Sequence, residues 1–312
     1  MSRNFGLGSR DMASAGRAAM SRLRKKGGAS FGTVDAVSQR WQRFVGYAKG
    51  CGIGRMERVT QTFVIGYGRE LADLVHAGEM TPAYAQVLLS AVNTVMTAAS
   101  GNGWRSVGAV EDCQIPERSA IRKTAPAGLD QAIFASALPL IQEVAGDRGV
   151  AVALLARALG LRSKEASLLD AKKVLAGALK TNSFRIESGT KGGRARTVRI
   201  SSKRQLEALH FAAAVQRKDK SLVPSEKTFV QWLDSGLRST RKVLAQQGLG
   251  GLHELRASYA CQRYRELTGG EAPCCGGKIT DRKVDKAARL TISAELGHRR
   301  IDVVAAYVGG RK

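Results

Sequence analysis

Apolar residues along this chain recur mostly at three- and four-residue spacing, the signature of helices with one buried face. Val34, Val37, Trp41, Phe44 and Val45 mark the first such stripe. A second helix is predicted from about residue 56 to 77, with Phe63, Tyr67, Leu71, Leu74 and Val75 inward. Thr81-Pro82 supplies an N-cap followed by the residue best suited to the first helical position. Ala85, Leu88, Leu89, Val92 and Met96 line the helix that follows, and Gly101-Asn102-Gly103 stops it. The aromatics on these stripes read as core. Residues 31–115 therefore form a helical domain, and the basic stretch 116–128, with Pro126, reads as a linker. Periodicity resumes at Leu129 with Ile133, Phe134, Leu138 and Ile141, and a further apolar helix over 150–159 is ended by Gly160.

The period then changes. Phe184 and Ile186 alternate with polar residues, as do Val198 and Ile200, and Gly192-Gly193 lies between them. That pattern predicts a β-hairpin with a glycine-rich turn. Helices return at about 203–215, 228–247, 253–268 and 285–295, with a last short one over 302–307. The fold class is mainly α with a small β-sheet (α+β), and residues 129–312 make the second domain.

Composition adds a partner. The 312 residues carry 50 Lys+Arg against 26 Asp+Glu, a formal net charge of +24, and 44% are hydrophobic. So basic a protein calls for a counter-charged partner, most commonly nucleic acid. Ribosomal and membrane-surface proteins share such a balance. Residues 1–30 are rich in Gly, Ser, Ala and Arg, include Arg22-Leu23-Arg24-Lys25-Lys26, and lack the apolar segment of a signal peptide. They read as a basic flexible arm. No apolar run is long enough for a transmembrane helix. The five cysteines, Cys51, Cys113, Cys261, Cys274 and Cys275, are odd in number and irregular in spacing, so a reducing cytoplasm is expected rather than a disulfide framework. Adjacent Cys274-Cys275 without a nearby histidine is a poor zinc pattern, and no metal is expected there.

Phosphodiester transfer without metal or nucleotide needs a nucleophile, fixed cations at the non-bridging oxygens, an acid for the leaving oxygen and a base. Arginine suits the oxygens because its planar fork holds phosphate bidentately. The chain offers these groups in order. Arg162 follows the helix-ending Gly160, and Glu165 stands three residues later, able to orient it. Lys191 sits on the hairpin turn, whose glycines permit a close approach to a ligand. His253 and Arg256 share one helix face. His298 follows Arg256 by 42 positions and Tyr307 follows His298 by nine. Taken singly each is unspecific: Arg162 also reads as a surface cap, Lys191 as a solvated turn, His253 and Arg256 as a structural pair, Tyr307 as core. Order and spacing together carry the information, with two of only 4 histidines in place.

This arrangement closely resembles the tyrosine recombinases, or phage-type integrases, whose catalytic set runs Arg, Lys, His-x-x-Arg, His or Trp, Tyr along the chain. Residues 292–307, with Leu296-Gly297-His298 and Tyr307, resemble the family's C-terminal box almost residue for residue, and Gly160 to Asp170 resembles its first box. The likeness is strong over 129–312. Over 34–100 it rests on helical character and position, which makes 31–115 the counterpart of the family's helical core-binding (SAM-like) domain.

The resemblance implies a site-specific DNA recombinase working through a 3′-phosphotyrosine. Arg162 and Arg256 hold the scissile phosphate, Lys191 protonates the leaving oxygen and His253 handles the nucleophile's proton. His298 hydrogen-bonds the phosphate, Tyr307 attacks, and Glu165 supports Arg162. Lys191 is the open position, since Arg194 and Arg196 are close and the register is not legible. No cofactor is implied. The implied partners are double-stranded DNA attachment sites, a homotetramer on DNA and DNA-bending accessory proteins, and the implied location is cytoplasmic, at the nucleoid.

Two features depart from the family pattern. Gly269 to Asp285 looks like an inserted loop. Only five residues follow Tyr307, whereas many members carry a longer tail that docks on a neighbouring subunit. A type IB topoisomerase or telomere resolvase shares the same active-site set. A catalytically inactive DNA-binding regulator is opposed by the complete set, and an RNA-binding role leaves the spacing unexplained.

Overall fold

The chain packs as two units, Met1–Ser119 and Ala120–Lys312. The structure, a computed structural model, describes residues 3–298 and 300–311, the side chains of Asn102 and Lys191 excepted.

The first unit contains α1 (Met12–Lys25), α2 (Phe31–Gly50), α3 (Gln61–His76) and α4 (Pro82–Ser100). Each starts where a side-chain oxygen takes up an otherwise orphaned amide. Asp11 accepts from Ser14, Ser30 from Thr33, Thr60 from Phe63 and Thr81 from Tyr84. The predicted stripes meet in one core. Phe44 stands 5.1 Å from Trp41, 6.0 Å from Phe63 and 5.2 Å from Tyr67 between ring centroids.

The flexible arm expected over residues 1–30 is corrected by α1. Met12, Ala15, Ala19 and Met20 are buried in the same core. The cause is Trp41. Its indole lies so close to α1 that a Cβ on Gly16 would sit 2.2 Å from Nε1, and its N–H donates to the Met12 carbonyl at 2.8 Å. A buried indole needs such an acceptor. Glycine and alanine, which read as loop-like composition, are what let the two helices approach.

The second unit begins earlier than expected. Residues 120–128, read as linker, are bound into it: the Arg122 amide donates to the Ala305 carbonyl at 2.9 Å, and its guanidinium pairs with Glu254 at 2.5 Å. The long α5 (Gln131–Leu159) spans both helices predicted there and bends at Gly146, whose φ is 65°. It packs against α8 (Lys203–Gln216), α10 (Gly236–Gln246) and α11 (Leu252–Thr268). The single helix expected over 228–247 is broken at Ser235 into α9 (Phe229–Asp234) and α10. Gly236 leaves room there for the Trp232 ring, which a Cβ would meet at 2.0 Å.

After α5 come α6 (Ser163–Ser167) and α7 (Ala171–Thr181), then the hairpin of β1 (Ser183–Ile186) and β2 (Arg196–Arg199). Its antiparallel register pairs Phe184 with Val198 and Ile186 with Arg196. Side chains alternate between the faces of a strand. With Val198 buried, Arg196 is therefore carried inward too, and both are buried. α12 (Arg282–Glu295) and α13 (Ala305–Val308) close the unit against α11, in a core containing Ala257, Tyr259, Ile292, Leu296, Val304 and Val308.

Candidate active site

The site forms where the end of α5, α6, the start of α11, the turn after α12 and α13 converge. Gly160 ends α5 in the left-handed conformation, φ 62°, and a Cβ there would meet the Tyr259 ring at 2.4 Å. Only glycine ends the helix this way against that ring. The ending turns the Gly160 carbonyl toward Arg256, whose Nη1 donates to it. Nη2 of Arg256 donates to the Leu296 carbonyl at 2.6 Å, and Nε donates to the Tyr307 hydroxyl at 3.4 Å. Arg256 is 1% exposed. Burial is the main influence lowering its pKa to about 10, so it remains a cation at neutral pH.

Tyr307 projects from α13, itself 5% exposed. Its hydroxyl lies 3.3 Å from Nε2 of His298. His298 is placed by the left-handed Gly297, φ 70°, and by its own amide, which donates to the Ser293 carbonyl at 2.7 Å. The His253 ring stands 5.6 Å from the Tyr307 ring between centroids. His253 is open to solvent on α11. Partial desolvation of its ring, together with the charges of Arg256, Arg122 and Arg162, lowers its pKa below the usual 6.5, with Glu254 pulling the other way. A lowered pKa favours the neutral imidazole, the form able to accept a proton.

Glu165 organises the cations. It is fully buried and accepts from the Arg162 amide and from Arg162 Nη1, both at 2.7 Å. It also accepts both prongs of Arg196 at 2.7 Å, and Arg256 Nη1 stands 3.8 Å away. Burial opposes its ionisation, but the Arg196 bonds and charge, the Arg162 amide and the charge of Arg256 hold the carboxyl down at about 2. Three guanidiniums around one carboxylate leave an excess of positive charge. Arg162 keeps a quarter of its side chain open to solvent, which suits it to meet an anion.

Five of the six residues proposed as catalytic from sequence thus gather with Glu165 around one point: Arg162, His253, Arg256, His298 and Tyr307. The backbone of Lys191 opens a short 3-10 turn in the hairpin loop, and its side chain lies outside the described residues. The loop itself is tied to the site, because Gly189, φ +73°, lies so close to α6 that a Cβ would sit 2.8 Å from the Lys164 carbonyl.

Three supporting elements were not legible. Arg196 looks like one more basic hairpin residue, but its Nε also donates to the Glu295 carbonyl at 2.7 Å, fixing the turn that carries His298. Glu295 receives the Tyr259 hydroxyl at 2.9 Å. Arg289, 1% exposed, pairs with Asp285 at 2.7 Å and donates to the carbonyls of Gly309 and Gly310, each at 2.9 Å, so it caps the segment leaving α13. The i, i+4 spacing of Asp285 and Arg289 was the one available signal, and it is common on solvated helices. Among the described residues, the cluster of possible metal ligands is Cys261, Cys274 and Cys275.

Over residues 120–262 the chain matches the family described as Integrase. No curated protein sequence matches it. Solved structures share its fold. The XerH site-specific recombinase bound to a palindromic difH substrate aligns with TM-score 0.59 at 14% identity, over 95% of this chain and 80% of that one. A lambda integrase dimer bound to a core site aligns with TM-score 0.58 at 12% identity, over 96% and 77%. The Tn1549 transposon integrase in complex with transposon right end DNA aligns with TM-score 0.59 at 9% identity, over 100% and 96%. At these identities the structural likeness concerns the fold, and the family match concerns residues 120–262, which carry Arg162, Glu165, His253 and Arg256 but end before His298 and Tyr307. Residues 120–262 are thus similar to the Integrase family, and the chain has the fold of these site-specific recombinases and integrases.

Proposed function

We propose that this protein is a site-specific DNA recombinase, the integrase of a prophage or other mobile element, and that it cuts and rejoins DNA through a 3′-phosphotyrosine formed on Tyr307. The observation that carries the reading is the setting of the Tyr307 hydroxyl, 3.4 Å from Arg256 Nε and 3.3 Å from His298 Nε2. A phenol is a weak nucleophile until its proton leaves, and cations that stabilise the phenolate also stabilise the charged phosphorane that follows.

In the proposed reaction the scissile phosphate sits over Arg162 and Arg256, with His298 bonding a non-bridging oxygen. His253 takes the Tyr307 proton. The phenolic oxygen bonds to phosphorus while the bond to the 5′-oxygen breaks, and Lys191 gives that oxygen its proton. Glu165 and Arg196 act as positioning residues. Attack of a second 5′-hydroxyl reverses the steps and rejoins the strands, so the bond energy is kept without a nucleotide.

The first unit serves as the core-binding domain on duplex DNA, and the substrates are double-stranded attachment sites bound by a homotetramer, with DNA-bending proteins assisting. The solved relatives crystallised on DNA support this choice of substrate. The net charge of +24 supports it as well. The test is Tyr307→Phe on a nicked suicide substrate. Loss of the covalent adduct on denaturing gels with DNA affinity retained is expected. A 3′ adduct surviving in that variant would place the nucleophile elsewhere.

A further inference from the structure

We propose that Cys261, Cys274 and Cys275 form a binding site for a thiophilic divalent cation, Zn²⁺, which fastens α13 to α11. Cys261 lies on α11, one and a half turns beyond Arg256, and Cys274-Cys275 lie in the loop between α11 and α12. Their three sulfurs fall within 4.8 Å of one another. Cys261 and Cys274 are 3.5 Å apart, and Cys274 and Cys275 are 3.8 Å apart. A tetrahedral zinc about 2.3 Å from each sulfur sets neighbouring sulfurs about 3.8 Å apart, which these distances approach.

The fourth corner is the Tyr307 carbonyl. It belongs to the last turn of α13, so it has no donor within the helix. The sulfurs of Cys261 and Cys274 each stand 3.4 Å from it. An oxygen ligand about 2.1 Å from zinc lies about 3.6 Å from each sulfur ligand, again close to what is found. Binding deprotonates three thiols, releases three protons to solvent and forms three Zn–S bonds, with no change of oxidation state.

The loop is built to be held there. A Cβ on Gly309 would sit 2.6 Å from the Cys274 amide, and one on Gly277 would sit 1.8 Å from the Glu271 carbonyl. Gly309 lets the cysteine loop lie against the chain that leaves α13, and Gly277 lets that loop close tightly on itself. Cys261 and Cys274 are 2% and 6% exposed, so the site is closed on two sides, while Cys275 is half-buried and leaves an entry. The sulfur geometry stands apart from the recombination reading. Only the consequence for catalysis rests on that reading, namely that the cation clamps the backbone of Tyr307 itself to the helix that carries His253 and Arg256.

The test uses the full chain, produced under reducing conditions and analysed for bound metal, followed by Co²⁺ titration of the stripped protein. About one zinc per chain is expected, with a cobalt–thiolate charge-transfer band that saturates at one equivalent. Cys51→Ser, outside the cluster, keeps both. Cys275→Ser, at the half-exposed ligand and so least disruptive to the fold, loses most of the metal and the band, and zinc no longer raises its melting temperature as it does that of the wild type. Substoichiometric zinc with no cobalt band in the wild type overturns the proposal. So does undiminished binding in Cys275→Ser, or a Cys261–Cys274 disulfide in place of metal. None of these readouts involves DNA, so recombination failing for another reason leaves them interpretable.

Discussion

Glu165 receives both prongs of the Arg196 guanidinium, each at 2.7 Å, and neither residue is more than 8% exposed. This pair joins the first box of the site to the hairpin. Because Arg196 also bonds the Glu295 carbonyl, it extends to the turn that bears His298.

Glu165→Gln removes the carboxylate that holds Arg162, Arg196 and Arg256 together. Removing one partner of a buried pair leaves uncompensated charge and costs about 3–5 kcal/mol. The denaturant midpoint of the second unit should fall accordingly, and cleavage should fall with it. The pH dependence has a definite sign. With the carboxyl lowered from 4.5 to about 2, its contribution is fully present above pH 4.5 and is lost as pH falls from there toward 2. The shift corresponds to about 3 kcal/mol. Acid titration of wild type and variant should converge at the bottom of this window, and parallel curves throughout would refute the assignment.

Arg256→Lys keeps the charge and loses the fork. A single ammonium cannot bond the Gly160 and Leu296 carbonyls while reaching Tyr307. Single-turnover cleavage should drop by about 100-fold or more, the scale of losing one oxyanion donor. DNA affinity should change far less, which a filter-binding measurement checks. Cleavage within a few-fold of wild type would mean the geometry of Arg256 is immaterial.

Desolvation and the neighbouring guanidiniums lower the His253 pKa from its usual 6.5, which favours the neutral base. The acid limb of kcat/KM for suicide-substrate cleavage should therefore have its midpoint below pH 6.5, where the base is protonated. In His253→Gln this acid limb should vanish from a much lower plateau. An imidazole signal of His253 titrating above 6.5 in the DNA-free protein would contradict the arrangement.

Gly16→Ala places a methyl group against the Trp41 indole and should destabilise the first unit by about 1–3 kcal/mol through overpacking. Deleting residues 1–25 strips Met12 and Met20 from its core and should leave that unit unfolded, seen by loss of its cooperative melting transition. If the truncated protein melts like the full chain, α1 is an appendage after all.

What the sequence alone determined is what short-range physics writes locally. Apolar stripes at helical spacing marked most helices, capping residues such as Thr81-Pro82 marked their starts, and alternation at Phe184 and Ile186 marked the hairpin. The residues brought to the site were also readable, because the chemistry narrows the side-chain types and their order and spacing resemble the tyrosine recombinase set: Arg162, His253, Arg256, His298 and Tyr307. What the tertiary structure alone decided depends on long-range approach. α1 folds because Trp41 reaches across to Met12, an encounter that Gly- and Ala-rich composition conceals. Arg196 turns inward because the register pairs it with Ile186, and a slip of one residue would have exposed it. Cys274-Cys275 looks unpromising until α11 brings Cys261 beside it, since the ligand set is assembled from residues that no spacing along the chain connects. Burial, register and the meeting of distant segments are cooperative properties of the packed chain, and they decided which of many similar arginines and cysteines face one another.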